Sequence, residues 1–263
     1  MDIIDAIKTR RSVRIYNGSA LPPEQESQIQ TAIDGATDPF GGAYSLRLTT
    51  SDMEEFKPST YGVIKGAKNY LLLGIGTQKR DYLSAGFAME QVVLQARQIG
   101  LGTCWIAATF KSGDFKAAAD FPSDTPLKVV SPIGVPSEKG SLLNPLTRAL
   151  ARSDKRKPFD TLFFNQNFNT PLTPDGPYAQ ALQMLRLAPS STNSQPWRAL
   201  VRGNQVDFYI TADSSIHYLN LGIGLCHFAI VCHLNNIKGA FCSNNLPTSA
   251  PNGWIYVTTF AQA

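Results

Sequence analysis

Two long segments of the chain carry apolar residues on nearly every face: "YLSAGFAMEQVVLQARQIG" from Tyr82 and "YLNLGIGLCHFAIVCHLNN" from Tyr218. A helix that is apolar all round belongs in a core rather than on a surface, so the pattern predicts two buried helices, Leu83–Ile99 and Leu219–Asn235. Each follows a short apolar run bounded by turn residues, "YLLLGIG" (Tyr70–Gly76) and "VDFYIT" (Val206–Thr211), which reads as a strand. Each is followed by a turn and a second strand-like run, "GLGTCW" and "IKGAF".

The two segments align without a gap at a separation of 136 residues, with Tyr82, Leu83 and Gly86 over Tyr218, Leu219 and Gly222. Apolar character also agrees at Phe87/Ile223, Met89/Leu225, Val92/Phe228, Leu94/Ile230, Leu101/Ile237 and Trp105/Phe241. Strand, helix and second strand therefore occur twice, and the chain reads as two similar halves, residues 1–165 and 166–263. The boundary falls in or near the Pro- and Gly-containing connector that follows the basic-aromatic stretch "SDKRKPFDTLFF". The halves differ in their polar loops. "TRRSVRIY" (Thr9–Tyr16) has no counterpart in the second half, and the dense run Pro189–Pro196 has only the degenerate "ATDPFGGAYSLRL" as its counterpart in the first.

With 43% hydrophobic and 17% charged residues in 263, the composition is that of a globular protein with a large core. A net charge of +4 is too small, and its basic residues too interspersed with acids, for a nucleic-acid-binding face. Cys104, Cys226, Cys232 and Cys242 form no C-x-x-C pair, and His217, His227 and His233 have no accompanying carboxylate pattern, so a metal site is not expected. The opening "MDIIDAIKTRR" lacks the order of a signal peptide, and no apolar run approaches about 20 residues, which predicts a reduced, cytoplasmic setting without membrane attachment.

Five motifs then stand in a definite order: "RRSVRIY", "GLGTCW", "PIGVPSEK", "RSDKRKPFDTLFF" and "APSSTNSQPWR". Together with the repeat, they resemble the FMN-dependent nitroreductase family, specifically a branch in which one duplicated chain imitates the usual homodimer. The resemblance implies an α+β, three-layer fold with a mainly antiparallel sheet in each half and the two core helices at the centre. It also implies a flavin site at the interface between the halves. Arg10 and Ser12, with Arg156, would hold the FMN phosphate, for which guanidinium and hydroxyl donors suit a dianion. Arg11, the neighbouring cation, is a weaker candidate. Arg14 would face the flavin pyrimidine edge, and the backbone of Trp105, Ile106, Ala107 and Ala108 would approach N5. Pro189, Ser190, Ser191 and Asn193 would clasp the ribityl chain and phosphate from the other half.

The function so implied is NAD(P)H oxidation through FMN, by alternating half-reactions, with a nitroaromatic, quinone or similar small molecule as acceptor. The cofactor carries the chemistry, so no general acid or base is nominated. Because "RRS" and "PSSTN" occur once each, one FMN per chain is expected, and the chain needs no second copy to complete its site. The alternatives are a flavin-binding carrier or sensor without turnover and a related dehalogenase or flavin-destroying enzyme.

Overall fold

Both core helices begin four residues before the apolar pattern does, and their starts have local causes. The computed structural model describes residues 1–51, 58–137, 155–243, 250 and 253–263, and in it helix α3 spans Lys79–Gln98. A capping box opens it: Asp81 accepts from the Gln78 amide at 2.8 Å while the Gln78 side chain accepts from the Asp81 backbone. Periodicity alone misses this turn because Lys79 and Arg80 are polar. Helix α6, Ser215–Leu234, begins after an extended Ser214. The two helices start and end at the same 136-residue separation as the sequence repeat.

Two sheets lie beside these helices. The first joins β1 (Tyr44–Thr50), β2 (Asn69–Ile75), β3 (Gly102–Thr103) and β4 (Leu127–Gly134) in the order β1-β2-β4-β3, all antiparallel. The second contains β5 (Phe163–Asn165), β6 (Asn167–Pro171), β7 (Trp197–Arg202), β8 (Gln205–Ile210), β9 (Gly239–Cys242) and β10 (Ile255–Gln262) in the order β6-β5-β7-β8-β10-β9. Its run β7-β8-β10-β9 repeats the order of the first sheet, antiparallel throughout. The exception is β5, which pairs parallel to β7, so residues 163–165, at the end of the expected first half, become part of the second sheet. The fold is thus mixed α+β, with two sheets and, among the described residues, six α-helices. The remaining four are α1 (Ile3–Thr9), α2 (Pro23–Asp34), α4 (Ser112–Ala119) and α5 (Ala179–Leu187).

Helix α3 packs on β1 and β2, α6 on β7 and β8, and the two helices pack on each other more extensively than any other pair of elements. Their crossing is made by glycines. A methyl group built on Gly86 would overlap the Leu219 carbonyl oxygen, and one on Gly222 would overlap that of Leu83. Each helix therefore sets a glycine against the backbone of the other, at equivalent positions of the repeat. Contrary to the expectation of no such run, α6 is long and apolar enough by length and composition to cross a membrane. Its largely buried side chains instead form the centre of the second core, with Leu221, Leu225, Phe228 and Val231 fully buried among Trp197, Phe208 and Tyr178.

Candidate functional site

Between the end of α1, the rim of the first sheet and the loop before β7 lies a cavity of about 710 Å³. Helix α1 is capped at its start by Asp2, which accepts from the Asp5 amide at 2.8 Å, and its last backbone bond runs from the Arg10 amide to Ala6 O. From Arg10 the chain is extended and stitched to the sheet: Val13 N donates to Thr103 O, Lys65 N to Arg14 O and Ser137 N to Ile15 O. Alternation along such a segment puts Arg10, Ser12 and Arg14 on one face. Val13 packs against Gly102, where any larger residue would collide with its methyl groups.

The opposite wall comes from the second half. Ser191–Asn193 form a single 3-10 turn after α5, and Thr192, Asn193 and Gln195 all have left-handed φ of 48–55°. Such backbone costs about 1–3 kcal/mol per residue and persists only where the surroundings over-determine it. Here they do. Buried Gln195 accepts from Lys157 N at 2.8 Å and donates through Nε2 to Asn193 O, while its own amide donates to Ser190 Oγ at 3.0 Å. Arg156 donates to Leu187 O at 3.0 Å and to Asn193 Oδ1 at 3.2 Å, and Lys157 Nζ donates to Ser194 O. Asn220 of α6 accepts from Ser191 N at 3.1 Å. At the equivalent position of α3, Ser84 accepts from Gly42 N at 2.9 Å.

All thirteen residues nominated from the sequence border this one cavity: Arg10, Arg11, Ser12, Arg14, Trp105, Ile106, Ala107, Ala108, Arg156, Pro189, Ser190, Ser191 and Asn193. Their side chains are not equally available. Arg11 is exposed, whereas the Arg10 side chain retains only 5% of its exposure. Burial draws the Arg10 guanidinium below its ordinary value, while Glu90 opposes that shift. Arg156 and Asn193 use donors and acceptors on the loop itself, so in this arrangement they hold its shape. The Ile106 amide is also committed: it donates to Val130 O at 2.9 Å, and Val130 N returns the bond. Of the four amides expected near N5, this one is therefore withdrawn, because pairing with β4 is what fixes the turn. Glu138, Lys139 and residues 152–154 of the quoted motifs lie outside the described residues.

Sequence reading missed Asn220 and a buried charge cluster behind the wall. His227 does have a carboxylate partner, Glu90, supplied by the other core helix. His227 Nε2 lies 2.8 Å from Glu90 Oε1, its Nδ1 lies 3.0 Å from Met184 O, and Trp105 Nε1 donates to Glu90 Oε2 at 2.9 Å. Arg10 Nε is 3.9 Å from Glu90 Oε1. Glu90 and His227 are fully buried. The only signal in the sequence was a carboxylate inside an apolar helix, beside a histidine inside another.

Chemically, the lining combines Lys8, Arg10, Arg11, Arg14 and Arg156 with hydroxyl and amide groups, and no carboxylate among the described residues borders it. Ile216, Leu219, Ile223, Val129 and Trp105 supply apolar surface on the same cavity. Such a lining suits a partly apolar ligand that carries negative charge.

No curated protein matches the sequence. Among solved structures, a "putative nitroreductase" from Thermotoga maritima is similar over 100% of this chain and 94% of its own, with a TM-score of 0.65 and 20% identity. A "putative nitroreductase in complex with FMN" from Desulfovibrio desulfuricans is 23% identical and covers 60% of this chain and 98% of its own, with a TM-score of 0.44. An FMN-dependent nitroreductase from Clostridium difficile is 23% identical over 51% of this chain and 88% of its own, with a TM-score of 0.43. The family model described as "Putative TM nitroreductase" matches residues 2–232, nearly the whole chain, and the protein belongs to the nitroreductase family.

Proposed function

We propose that the chain is an FMN-dependent NAD(P)H oxidoreductase that reduces a small nitroaromatic, quinone or related acceptor, and that it binds one FMN per chain at the junction of two duplicated halves. The observation that carries this reading is the convergence on one cavity of Arg10–Arg14, Trp105–Ala108, Arg156 and Pro189–Asn193, segments far apart in sequence. The residues fit the cofactor. Its phosphate and ribityl hydroxyls find guanidinium, hydroxyl and amide donors, and its ring system finds the apolar strip of Trp105, Leu219 and Ile223. When bound, FMN would supply hydride acceptance and donation; the chain would orient it, and Arg14 would stabilise negative charge that develops on it. A small-molecule acceptor and a cytoplasmic setting go with this reading, as does a chain active without a second copy.

Support for duplication comes from the shared strand order, the equal helix bounds and the reciprocal glycines. Support for a single flavin comes from what occupies the equivalent place on the other side. Leu219 and Ile223 border the cavity, and their counterparts are Leu83 and Phe87. Phe87 packs edge-on against Phe40 at 5.8 Å and Phe241 at 6.4 Å, and Phe40 lies 5.2 Å from Phe241, the counterpart of Trp105. Aromatic rings packed at this place support a single flavin.

The purified protein, reconstituted with FMN, is expected to show a flavin absorption spectrum at one flavin per chain and to oxidise NADH or NADPH when a quinone or nitroaromatic is added. A stoichiometry of two would remove the single-site reading, and a bound flavin without turnover would make the chain a carrier or sensor. Arg10→Ala should weaken FMN binding about ten- to a hundredfold, the value of about 1.5–3 kcal/mol for a hydrogen bond to a charged group. Arg11→Ala, at an exposed position, should weaken it far less. Equal losses measured by flavin fluorescence titration would show that the two arginines share the phosphate.

A further inference from the structure

Hydrogen-bond bookkeeping fixes a proton in the cluster behind the cavity. The Met184 carbonyl can only accept, so His227 Nδ1 must carry the hydrogen of their 3.0 Å contact. His227 Nε2 then faces Glu90 Oε1 at 2.8 Å, a contact that also requires a hydrogen between the two atoms. Glu90 and His227 together therefore hold one proton beyond those of a carboxylate and a neutral imidazole, and as a pair they are electrically neutral. Glu90 also accepts from Trp105 Nε1 on Oε2 and has Arg10 beside Oε1. The other titratable groups nearby are thiols: Cys226, next to His227 on α6 and pushed well up by burial and by Glu90, and Cys104, which faces Arg10 and is pushed up by burial.

This neutrality matters to Arg10. A buried carboxylate 3.9 Å from a buried guanidinium would cancel its charge at the cavity wall. With His227 supplying the compensating proton, Arg10, Glu90 and His227 together carry a single positive charge, and it stands on the side that borders the cavity. We propose that His227 is a charge-setting, positioning residue that keeps Glu90 from neutralising Arg10 and so preserves the cavity's affinity for a phosphate-bearing ligand. Glu90, tied to Trp105 and to α6, fixes the wall while His227 removes the electrostatic consequence of having a carboxylate there. The inference rests on the FMN reading only for the identity of that ligand.

The test is a rescue. His227→Gln can still donate from its amide nitrogen to Glu90, but it cannot carry the extra proton, so Glu90 pairs with Arg10. FMN affinity should fall about tenfold, the scale of one nearby charge acting through a mixed dielectric. Adding Glu90→Gln to that variant removes the carboxylate charge and keeps an acceptor for Trp105, so affinity should return to within about threefold of the parent chain. A purely structural pair would behave the other way, the double variant binding no better than the single one, and that result overturns the proposal. So would parental affinity in His227→Gln. If the parent chain binds no FMN, the cofactor reading has failed, and the same three proteins are titrated with inorganic phosphate, where the same order is expected and its absence overturns the charge-setting role. Should His227→Gln not fold, the ¹⁵N spectrum of the parent chain at neutral pH decides. Hydrogens on both ring nitrogens support the assignment, and a bare Nδ1 overturns it.

Discussion

Gly86→Ala is expected to lower the melting temperature by about 6–12 °C, or to prevent folding outright. The added methyl group meets the Leu219 carbonyl oxygen on the facing helix, and Ile223 N stands only 3.1 Å from it. Neither is the far end of a flexible side chain, so relief requires α3 and α6 to separate, and that opens the most extensive contact in the molecule. Overpacking of this kind costs about 3 kcal/mol at the upper end of the usual range. For a chain of this length each kcal/mol is worth about 2–4 °C. Gly222→Ala should do the same, because its methyl group meets Leu83 O and lies 3.0 Å from Phe87 N. Since both act by prising apart one interface, the double variant should lose less than the sum of the two. Gly113→Ala in α4, where nothing lies within 4 Å of the added carbon, is the control and should be neutral or slightly stabilising. If Gly86→Ala melts with the parent chain, the helices do not cross at their glycines in solution.

That crossing shows which parts of the fold were legible. Tyr82 and Gly86 align without a gap with Tyr218 and Gly222, and periodicity exposes such a correspondence because both segments bury the same faces. The strands followed, since β2 and β8 are short apolar runs ahead of each helix. Helix starts were not legible: Lys79 and Arg80 are held by a capping interaction that hydrophobic patterning does not register. The parallel addition of β5 to β7 was hidden for another reason. Phe163 and Phe164 could belong to either sheet, and only the path of the chain decides.

The site divides similarly. Arg10–Arg14 and Pro189–Asn193 stand out through the motifs that carry the family resemblance, since a basic helix end and a Ser/Asn turn are by themselves ordinary surface features. Glu90 and His227 do not, because their pairing spans 137 residues and each sits alone in an apolar helix. Ile106 illustrates the limit of reading backbone roles from sequence. Its amide exists in any fold, and only the bridge to Val130 shows that it is already used.

Gln195→Ala should weaken FMN binding about tenfold to a hundredfold, although Gln195 does not border the cavity. Its buried side chain accepts from Lys157 N and donates to Asn193 O, so it ties the "KRKP" segment to the loop and holds Asn193 at a left-handed φ of 55°. Alanine leaves the half-buried Lys157 amide without its acceptor and Asn193 O without this donor, each costing at most about 1–3 kcal/mol, the penalty for a fully buried unpaired group. The left-handed sites at Thr192, Asn193 and Gln195 itself then lose the side chain that ties them together, and the loop gains conformations in which Ser190 and Ser191 no longer face the cavity. Asn193→Ala should have a smaller effect of the same kind, since Arg156 keeps its bond to Leu187 O. Combined with Ser12→Ala on the other wall, Gln195→Ala should depart from additivity, because a ligand loosened at one wall draws less from the other. Dissociation constants for the single and double variants, read from quenching of flavin fluorescence, decide the matter. Strict additivity would mean that the two halves do not grip one ligand, and unchanged affinity in Gln195→Ala would mean that the loop before β7 takes no part in holding it.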